Sequence, residues 1–148
     1  MKNSFKTAVD KDLPNAYKEG LGAIKGNDKG KFDFIENSRN ISGSADIDAA
    51  MKKQFPHENR WDYVIGYNEK AYFFEVHPMT EGEVSKIIAE KNWLENFLNN
   101  YAKNLNAIKM LPYFWLQTDK RRNTIAPKSI KATQLVKNNI EWHQIKKF

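Results

Sequence analysis

Two stretches near the middle of the chain are dense in aromatic and β-branched residues, and a short polar segment separates them. Residues 61–67 (WDYVIGY) and 71–77 (AYFFEVH) have the composition of strands. The polar residues 68–70 (NEK) between them suit a tight turn. The pattern therefore predicts a β-hairpin whose side chains alternate between two faces.

The periodicity changes from strand-like to helical after this hairpin. Thr80 and Glu83 have the spacing of a capping box, which marks the start of a helix. Lys91 lies within the apolar stripe of that helix. Its ammonium group must either extend to solvent or find an anionic partner, for which Asp62 and Glu75 of the hairpin are the candidates. The stripe consists of Val84, Ile87, Ile88, Leu94, Phe97, Leu98, Tyr101 and Leu105.

The N-terminal third carries weaker signals. Asp12 as a cap, with Pro14 in the first turn, predicts a first helix whose apolar face runs to Ile24. Residues 31–36 are predicted as the first strand, which ends before Gly43 and Ser44. Residues 46–55 favour a short helix capped by Ser44 or Asp46. They also alternate as a strand would, and Asp46 and Asp48 would then be rival metal ligands.

The C-terminal part predicts three more elements. Strands are expected at 112–118 and 140–145, the second of them at a sheet edge. A helix is expected at 126–138, with Ile130, Leu135 and Val136 facing inward. A hairpin followed by a helical crossover implies a mixed sheet with helices on both sides. The predicted fold is therefore a single α/β (α+β, mixed-sheet) domain over residues 1–148.

Hairpin register decides whether two acidic side chains meet. A two-residue loop pairs Tyr67 with Lys70, or position 68 with position 71, and either pairing puts Asp62 and Glu75 on one face. A three-residue loop would send them to opposite faces. His77 shares the face of Glu75, since it lies two residues further along the strand.

The spacing of Asp62 and Glu75-Val76-His77, followed by a helix, resembles the motif of the PD-(D/E)xK nuclease superfamily. The resemblance covers roughly residues 13–117 and implies a restriction-endonuclease-like αβββαβ core with an added C-terminal helix and strand. The sequence departs from the motif at Trp61, where the motif has proline, and at His77, where it has lysine.

The resemblance also implies a chemistry. Asp62, Glu75 and the backbone carbonyl of Val76 would bind Mg²⁺ or Mn²⁺ for the hydrolysis of phosphodiester bonds. Lys91 would replace the missing motif lysine, because that lysine migrates to the following helix in some members. His77 would position the attacking water or act as an acid or base. Many nucleases of this fold act as dimers, so the resemblance allows a homodimer, although the sequence itself does not give the oligomeric state.

Charge and composition extend this interpretation. The formal net charge of +6 and the pI near 9.4 favour an anionic partner, and DNA or RNA is the commonest. Arg60 and the basic segment with Lys120, Arg121 and Arg122 are the predicted phosphate contacts. The absence of cysteine excludes disulfides and thiolate zinc sites and makes the cytoplasm the default location. No apolar run reaches the length of a membrane span.

Two other functions stay open on the same residues. In the first, a catalytically inactive nuclease-like module binds nucleic acid through its basic face, an interpretation that the histidine at position 77 favours. In the second, a protein-interaction domain of an accessory or immunity type uses its aromatic surface. Lys91 would then form a structural ion pair with Glu75, and Asp62 would pair with Arg60 or with a backbone N–H.

Overall fold

The protein is built around one five-stranded mixed sheet. The computed structural model describes residues 3–33, 38–117, 125–143 and 146–147. The helices are α1 (Ser4–Asp12), α2 (Ile47–Met51), α3 (Val84–Asn100), α4 (Lys103–Ala107) and α5 (Ile130–Lys137). The strands are β1 (Phe32–Asp33), β2 (Ile41–Asp46), β3 (Tyr63–Tyr67), β4 (Lys70–His77), β5 (Tyr113–Gln117), β6 (Ile140–His143) and β7 (Lys146–Lys147).

The sheet follows the order β2-β3-β4-β5-β6. Its first two pairs are antiparallel, and the β4–β5 and β5–β6 pairs are parallel. Each parallel pair requires a crossover connection, and α3 and α5 supply the two crossovers. The predicted mixed α/β sheet is thus confirmed, with β6 at an edge as expected.

A two-residue loop closes the β3–β4 hairpin. Tyr67 pairs with Lys70, which is the first of the two registers that the sequence allowed. Asn68 and Glu69 occupy the turn with φ of 50° and 63°, the left-handed conformations of a tight hairpin turn. The Glu69 carboxylate also accepts a hydrogen bond from the N–H of Phe5, which ties the turn to the start of α1.

The long predicted helix forms, but in two parts. α3 buries Val84, Ile87, Leu94, Phe97 and Leu98 of the stripe. The helix ends at Tyr101, half-exposed, and Leu105 belongs to the separate helix α4. The capping box does not form, since Glu81–Glu83 make a 3₁₀ turn and the side chain of Thr80 caps nothing.

The first helix begins earlier than the sequence pattern indicated. α1 ends at Asp12, so the prediction that a helix starts there was wrong. Asp12 caps α4 instead, because its carboxylate accepts hydrogen bonds from the N–H of Leu105 and from Asn104 Nδ2, both at 2.7 Å. Asn15 and Gly20 follow with φ of 66° and 54°, and these left-handed residues turn the chain.

The first strand of the main sheet was also misplaced. β2 runs through Gly43 and Ser44, where the sequence predicted a break. Gly43 sits at an irregularity in the β2–β3 pairing with φ of 136°, and a side chain there would collide with the ring of Tyr17. Of the predicted strand 31–36, Phe32–Asp33 pair with β7 in a separate small sheet, and positions 34–36 lie outside the described residues.

The short helix α2 follows the expected pattern. The Asp46 side chain accepts a hydrogen bond from the N–H of Ala49, which is the contact of an N-cap residue. The alternative strand is therefore wrong, and Asp46 and Asp48 do not form a rival pair of metal ligands on one strand face.

Burial divides the core between the two faces of the sheet. The described helices all pack on one face, around Phe73 and Trp115, whereas residues 21–32 cover the other face, around Phe74. In the part of the chain that the structure describes, α-helices therefore cover one side only, contrary to prediction, and the segment on the other side has a single 3₁₀ turn at Lys29–Lys31. Leu135 of α5 is buried as expected, but Ile130 and Val136 are 78% and 65% exposed, so their predicted inward orientation was wrong.

Candidate active site

The hairpin register brings Asp62 and Glu75 together at one end of the sheet. Asp62 directly precedes β3, and the pairing of Tyr63 with Phe74 puts it opposite Glu75. The N–H of Asp62 donates to Glu75 Oε1 at 3.0 Å, and the N–H of Val76 donates to Asp62 Oδ2, also at 3.0 Å. The predicted pair therefore exists, and each carboxyl group is held by the backbone of the opposite strand.

Burial shapes the electrostatics of this pair. Glu75 is only 3% exposed, and Asp62 is half-buried. Burial raises the pKa of Asp62 to about 7, although the hydrogen bond from the Val76 N–H opposes the rise. Burial, and after it the charges of Asp62 and Glu90, hold the pKa of Glu75 well above its usual range.

The structure adds a third carboxyl group that the sequence argument missed. Glu90 of α3 is 5% exposed, and its carboxyl group lies close enough to Glu75 for its charge to raise the pKa of the Glu75 carboxyl group. Glu90 Oε2 is buried and has no hydrogen-bond partner among the described residues. The pKa of Glu90 is raised, chiefly by burial.

The signal for Glu90 was present in the sequence. Glu90 lies three residues after Ile87 and four before Leu94, so it falls on the same apolar stripe as Lys91. A charged residue in a buried stripe was the observation that singled out Lys91, and it applied equally to Glu90.

His77 lies beside the acid pair and is held from the other side. Its Nε2 is 2.8 Å from Glu83 Oε2, and its Nδ1 is 4.0 Å from Glu75 Oε2. Its backbone carbonyl accepts a hydrogen bond from the indole N–H of Trp115 at 3.1 Å. The imidazole is therefore fixed between Glu83 and the acid pair, on the face that the sequence predicted.

Lys91 is buried as predicted, with a different partner. Its ammonium group donates to Glu95 Oε1 at 2.9 Å, one turn further along α3. The other oxygen of Glu95 accepts from the hydroxyl of Tyr113 at 3.2 Å. The structure thus pairs Lys91 with Glu95 rather than with the acids of the hairpin.

Lys86 is exposed and lies one turn before Glu90 on α3. Its positive charge lowers the pKa of the Glu90 carboxyl group.

The predicted phosphate contacts lie partly outside the described residues. Lys120, Arg121 and Arg122 fall in the range 118–124, which is not described. Arg60 is described, and its side chain is 12% exposed. It donates to Asp48 Oδ1 at 2.9 Å and to the carbonyl of Phe55 at 2.6 Å. These contacts anchor the segment that follows α2, and a phosphate contact of Arg60 stays a prediction.

The donors at this end of the sheet are of the type that a hard divalent cation prefers. Asp62, Glu75 and the Val76 carbonyl are oxygen donors, and Glu90 Oε2 is a further buried oxygen without a described partner. Across the described ranges, however, no group of three or more histidine, aspartate or glutamate side chains is arranged to hold a metal ion. The donor types are therefore those that Mg²⁺ prefers, and a bound cation at this end of the sheet stays a prediction.

Comparison with known proteins adds no family: no family model matches the chain, and no curated protein or solved structure shows significant similarity to it. Among the described residues, no helix has both the length and the hydropathy needed to cross a lipid bilayer.

Proposed function

We propose that the protein is a metal-dependent nuclease that hydrolyses phosphodiester bonds of DNA or RNA. The observation that carries this proposal is the Asp62–Glu75 pair, because two mutually braced carboxyl groups at a strand end form a rigid oxygen-donor site. Burying acids together without a counter-charge is costly, and a bound cation would offset that cost.

The element order supports the same proposal. If the short elements β1, α2 and α4 are set aside, the order of α1, β2, β3, β4, α3 and β5 is the α-β-β-β-α-β order that a restriction-endonuclease-like core would have. α5 and β6 would be the additions at the C-terminal side. In that interpretation β3 and β4 would be the second and third strands of the core, and Asp62 and Glu75 would stand where the motif of the superfamily has its acids.

Each residue has a defined part in the proposal. Asp62, Glu75 and the Val76 carbonyl would hold Mg²⁺ or Mn²⁺. The cation neutralises phosphate charge and lowers the pKa of water. In the hydrolysis the water oxygen would form a new bond to phosphorus while the bond between phosphorus and the leaving ester oxygen breaks. The water would lose one proton and the leaving oxygen would gain one, so the step balances. His77 would orient the water. Lys86 is the first candidate to stabilise the developing negative charge, because its charge acts on Glu90, whereas Lys91 would have to leave Glu95 to do so.

The proposed partner is an anionic polymer. The net charge of +6 favours one, and the basic segment with Lys120, Arg121 and Arg122 begins shortly after Gln117, which pairs with His77. The chain therefore enters this segment from the end of the sheet that carries the acids. A cytoplasmic location, the default from the sequence, and a homodimer, which the resemblance allows, complete the proposal.

The test measures metal binding and cleavage on the same preparations. Calorimetric titration with MgCl₂ and MnCl₂ should show binding to the wild type and none to Glu75→Gln or Asp62→Asn. Plasmid DNA and RNA should be cut by the wild type only, and a chelator should stop the reaction. Glu19→Gln, which changes an acid of the 13–24 segment, is the matched control and should behave as the wild type. A wild type that binds neither metal and cuts neither substrate would overturn the proposal.

A second candidate is a catalytically inactive nucleic-acid-binding module with the same fold. It is favoured by the Lys91–Glu95 ion pair, which keeps a buried lysine away from the acids, and by histidine at position 77. Salt-sensitive binding of nucleic acid without cleavage would identify it. If the protein binds neither nucleic acid nor metal, the interaction-domain interpretation of the sequence is the one to pursue.

A further inference from the structure

Glu83 makes a contact that its local sequence does not predict. Three residues after Thr80, it has the position from which a capping-box glutamate bonds back to the start of its own helix. Its carboxylate instead reaches His77 Nε2 at 2.8 Å, across the connection between β4 and α3. Glu83 therefore supports the imidazole of His77 at the expense of local helix capping.

This contact determines which nitrogen of His77 carries the proton. A carboxylate only accepts hydrogen bonds, so the neutral imidazole must donate through Nε2–H. Nδ1 is then left with a free lone pair, and it faces Glu75 Oε2 at 4.0 Å. The Trp115 indole N–H donates to the His77 carbonyl and so fixes the end of β4 that carries the ring. Carboxylate partners of this kind fix the tautomer and orientation of functional histidines.

The distance between His77 Nδ1 and Glu75 Oε2 is suited to one bridging water molecule. When Glu75 is ionised, as it would be with a cation bound, Nδ1 and Glu75 Oε2 are both hydrogen-bond acceptors, and at 4.0 Å they are too far apart to bond directly. One water molecule that donates a hydrogen to each, through bonds of about 2.8 Å, spans roughly 4–4.5 Å between its two acceptors. Such a water would keep its oxygen lone pairs unshared, as a nucleophile requires.

We infer that Glu83 is a positioning residue that fixes the Nε2–H tautomer of His77, so that Nδ1 and Glu75 Oε2 together hold a water molecule beside the acid pair. The catalytic use of this water rests on the proposed nuclease function, whereas the tautomer and its dependence on Glu83 do not. Glu83 itself touches neither Asp62 nor Glu75 through a described hydrogen bond, so its effect passes through His77.

The experiment reads the tautomer directly by ¹⁵N NMR of the imidazole nitrogens at mildly alkaline pH. His77→Gln identifies the signal of His77 among the three histidines. The wild type should show Nε2–H. Glu83→Ala should give a mixture of tautomers, and Glu83→Gln should retain Nε2–H, because its amide oxygen accepts the same hydrogen bond. Glu81→Ala, an exposed acid of the same 3₁₀ turn, is the matched control and should leave the signal unchanged.

Cleavage assays on the same variants separate the two proposals. Glu83→Ala should reduce cleavage about 10- to 100-fold, as loss of such a supporting partner commonly does, with Glu83→Gln close to the wild type. If the protein cuts nothing but the tautomer shifts as expected, the nuclease proposal fails and the positioning role of Glu83 stands. An Nδ1–H tautomer in the wild type, or a tautomer unchanged in Glu83→Ala, would overturn the inference.

Discussion

Asp62, Glu75 and Glu90 lie together although ionised carboxylates repel one another. The carboxyl groups of Asp62 and Glu75 accept hydrogen bonds from two backbone N–H groups, and Glu90 is buried beside Glu75. Burial raises the pKa of all three, so the folded protein retains protons that the unfolded chain releases. Proton binding by these three carboxyl groups, the acid cluster, therefore makes the free energy of unfolding depend on pH.

The first prediction concerns the pH dependence of that stability. Asp62 has a pKa of about 7 in the folded protein and about 3.9 in an unfolded chain. Below a pH of about 4 the Asp62 carboxyl group is protonated in both the folded and the unfolded state, and its contribution to the free energy of unfolding is fully present. That contribution is lost as the pH rises through about 7. In the presence of a chelator, the free energy of unfolding should fall over this window. Asp62 alone contributes a slope of roughly 1.4 kcal/mol per pH unit.

Urea denaturation at a series of pH values measures this slope. Asp62→Asn should lose the contribution of one retained proton, since asparagine does not titrate. Asp10→Asn, which changes an exposed acid of α1, should leave the slope as in the wild type. An unfolding free energy that increases between these pH values would contradict the raised pKa of Asp62.

The residues of the acid site differ in how far the sequence predicts their positions. Asp62 and Glu75 were predictable, because alternation along two strands and a short loop leave few registers. Which of Glu90 and Lys91 lies beside the acid pair was not predictable. Neighbouring residues on a helix point about 100° apart, and a broad apolar stripe includes both positions. Glu95 decides the outcome by binding Lys91, and the stripe alone gives no sign of that pair.

At the scale of elements, long-range caps explain the misplaced helix boundaries. Asp12 was assigned to the start of a helix from its local sequence, yet it caps a helix more than ninety residues away. Glu83 likewise serves His77 rather than its own helix. Helix propensities depend only on residues that are close in sequence. They can therefore identify a capping residue without identifying which helix it caps.

The second prediction tests the Asp12 cap. Asp12→Ala removes the acceptor for the N–H of Leu105 and should destabilise the protein by about 1–2 kcal/mol, the usual cost of losing an N-cap. Asp12→Asn keeps an oxygen acceptor and should lose only a fraction of that. Chemical denaturation of the two variants beside the wild type gives the comparison. Equal loss in both variants would indicate that charge, and not the capping bond, is what Asp12 supplies.

At the scale of the whole molecule, charge is unevenly used. The formal value of +6 counts every carboxyl group as ionised, but the acid cluster retains protons in the folded state. The folded protein is therefore more basic than its composition indicates. Positive charge is also found in other parts of the molecule. Lys103, for example, lies in α4, which follows the C-terminal end of α3. Net charge alone cannot identify which of them meets a partner.

The third prediction uses salt to make that identification. If the protein binds nucleic acid, the logarithm of its affinity should fall linearly with the logarithm of salt concentration. The slope should be about −0.9 per phosphate neutralised on duplex DNA and about −0.7 on a single strand. The double substitution Arg121→Ala and Arg122→Ala should weaken binding similarly for all sequences and reduce the size of the slope by about two. Fluorescence anisotropy with labelled oligonucleotides, in a chelator to prevent cleavage, provides the measurement.

Two controls decide what the slope means. Lys103→Ala removes one exposed positive charge from α4 and should change the slope little if contact is confined to the end of the sheet that carries the acids. Glu83→Gln changes a residue that contacts His77 and should leave the salt dependence unaltered. A slope that falls equally for Lys103→Ala and for each single arginine would mean that the whole basic surface attracts nucleic acid without a defined site. Absence of binding even at low salt would remove nucleic acid as the partner, and the acid cluster would then have to be explained by metal or protein binding alone.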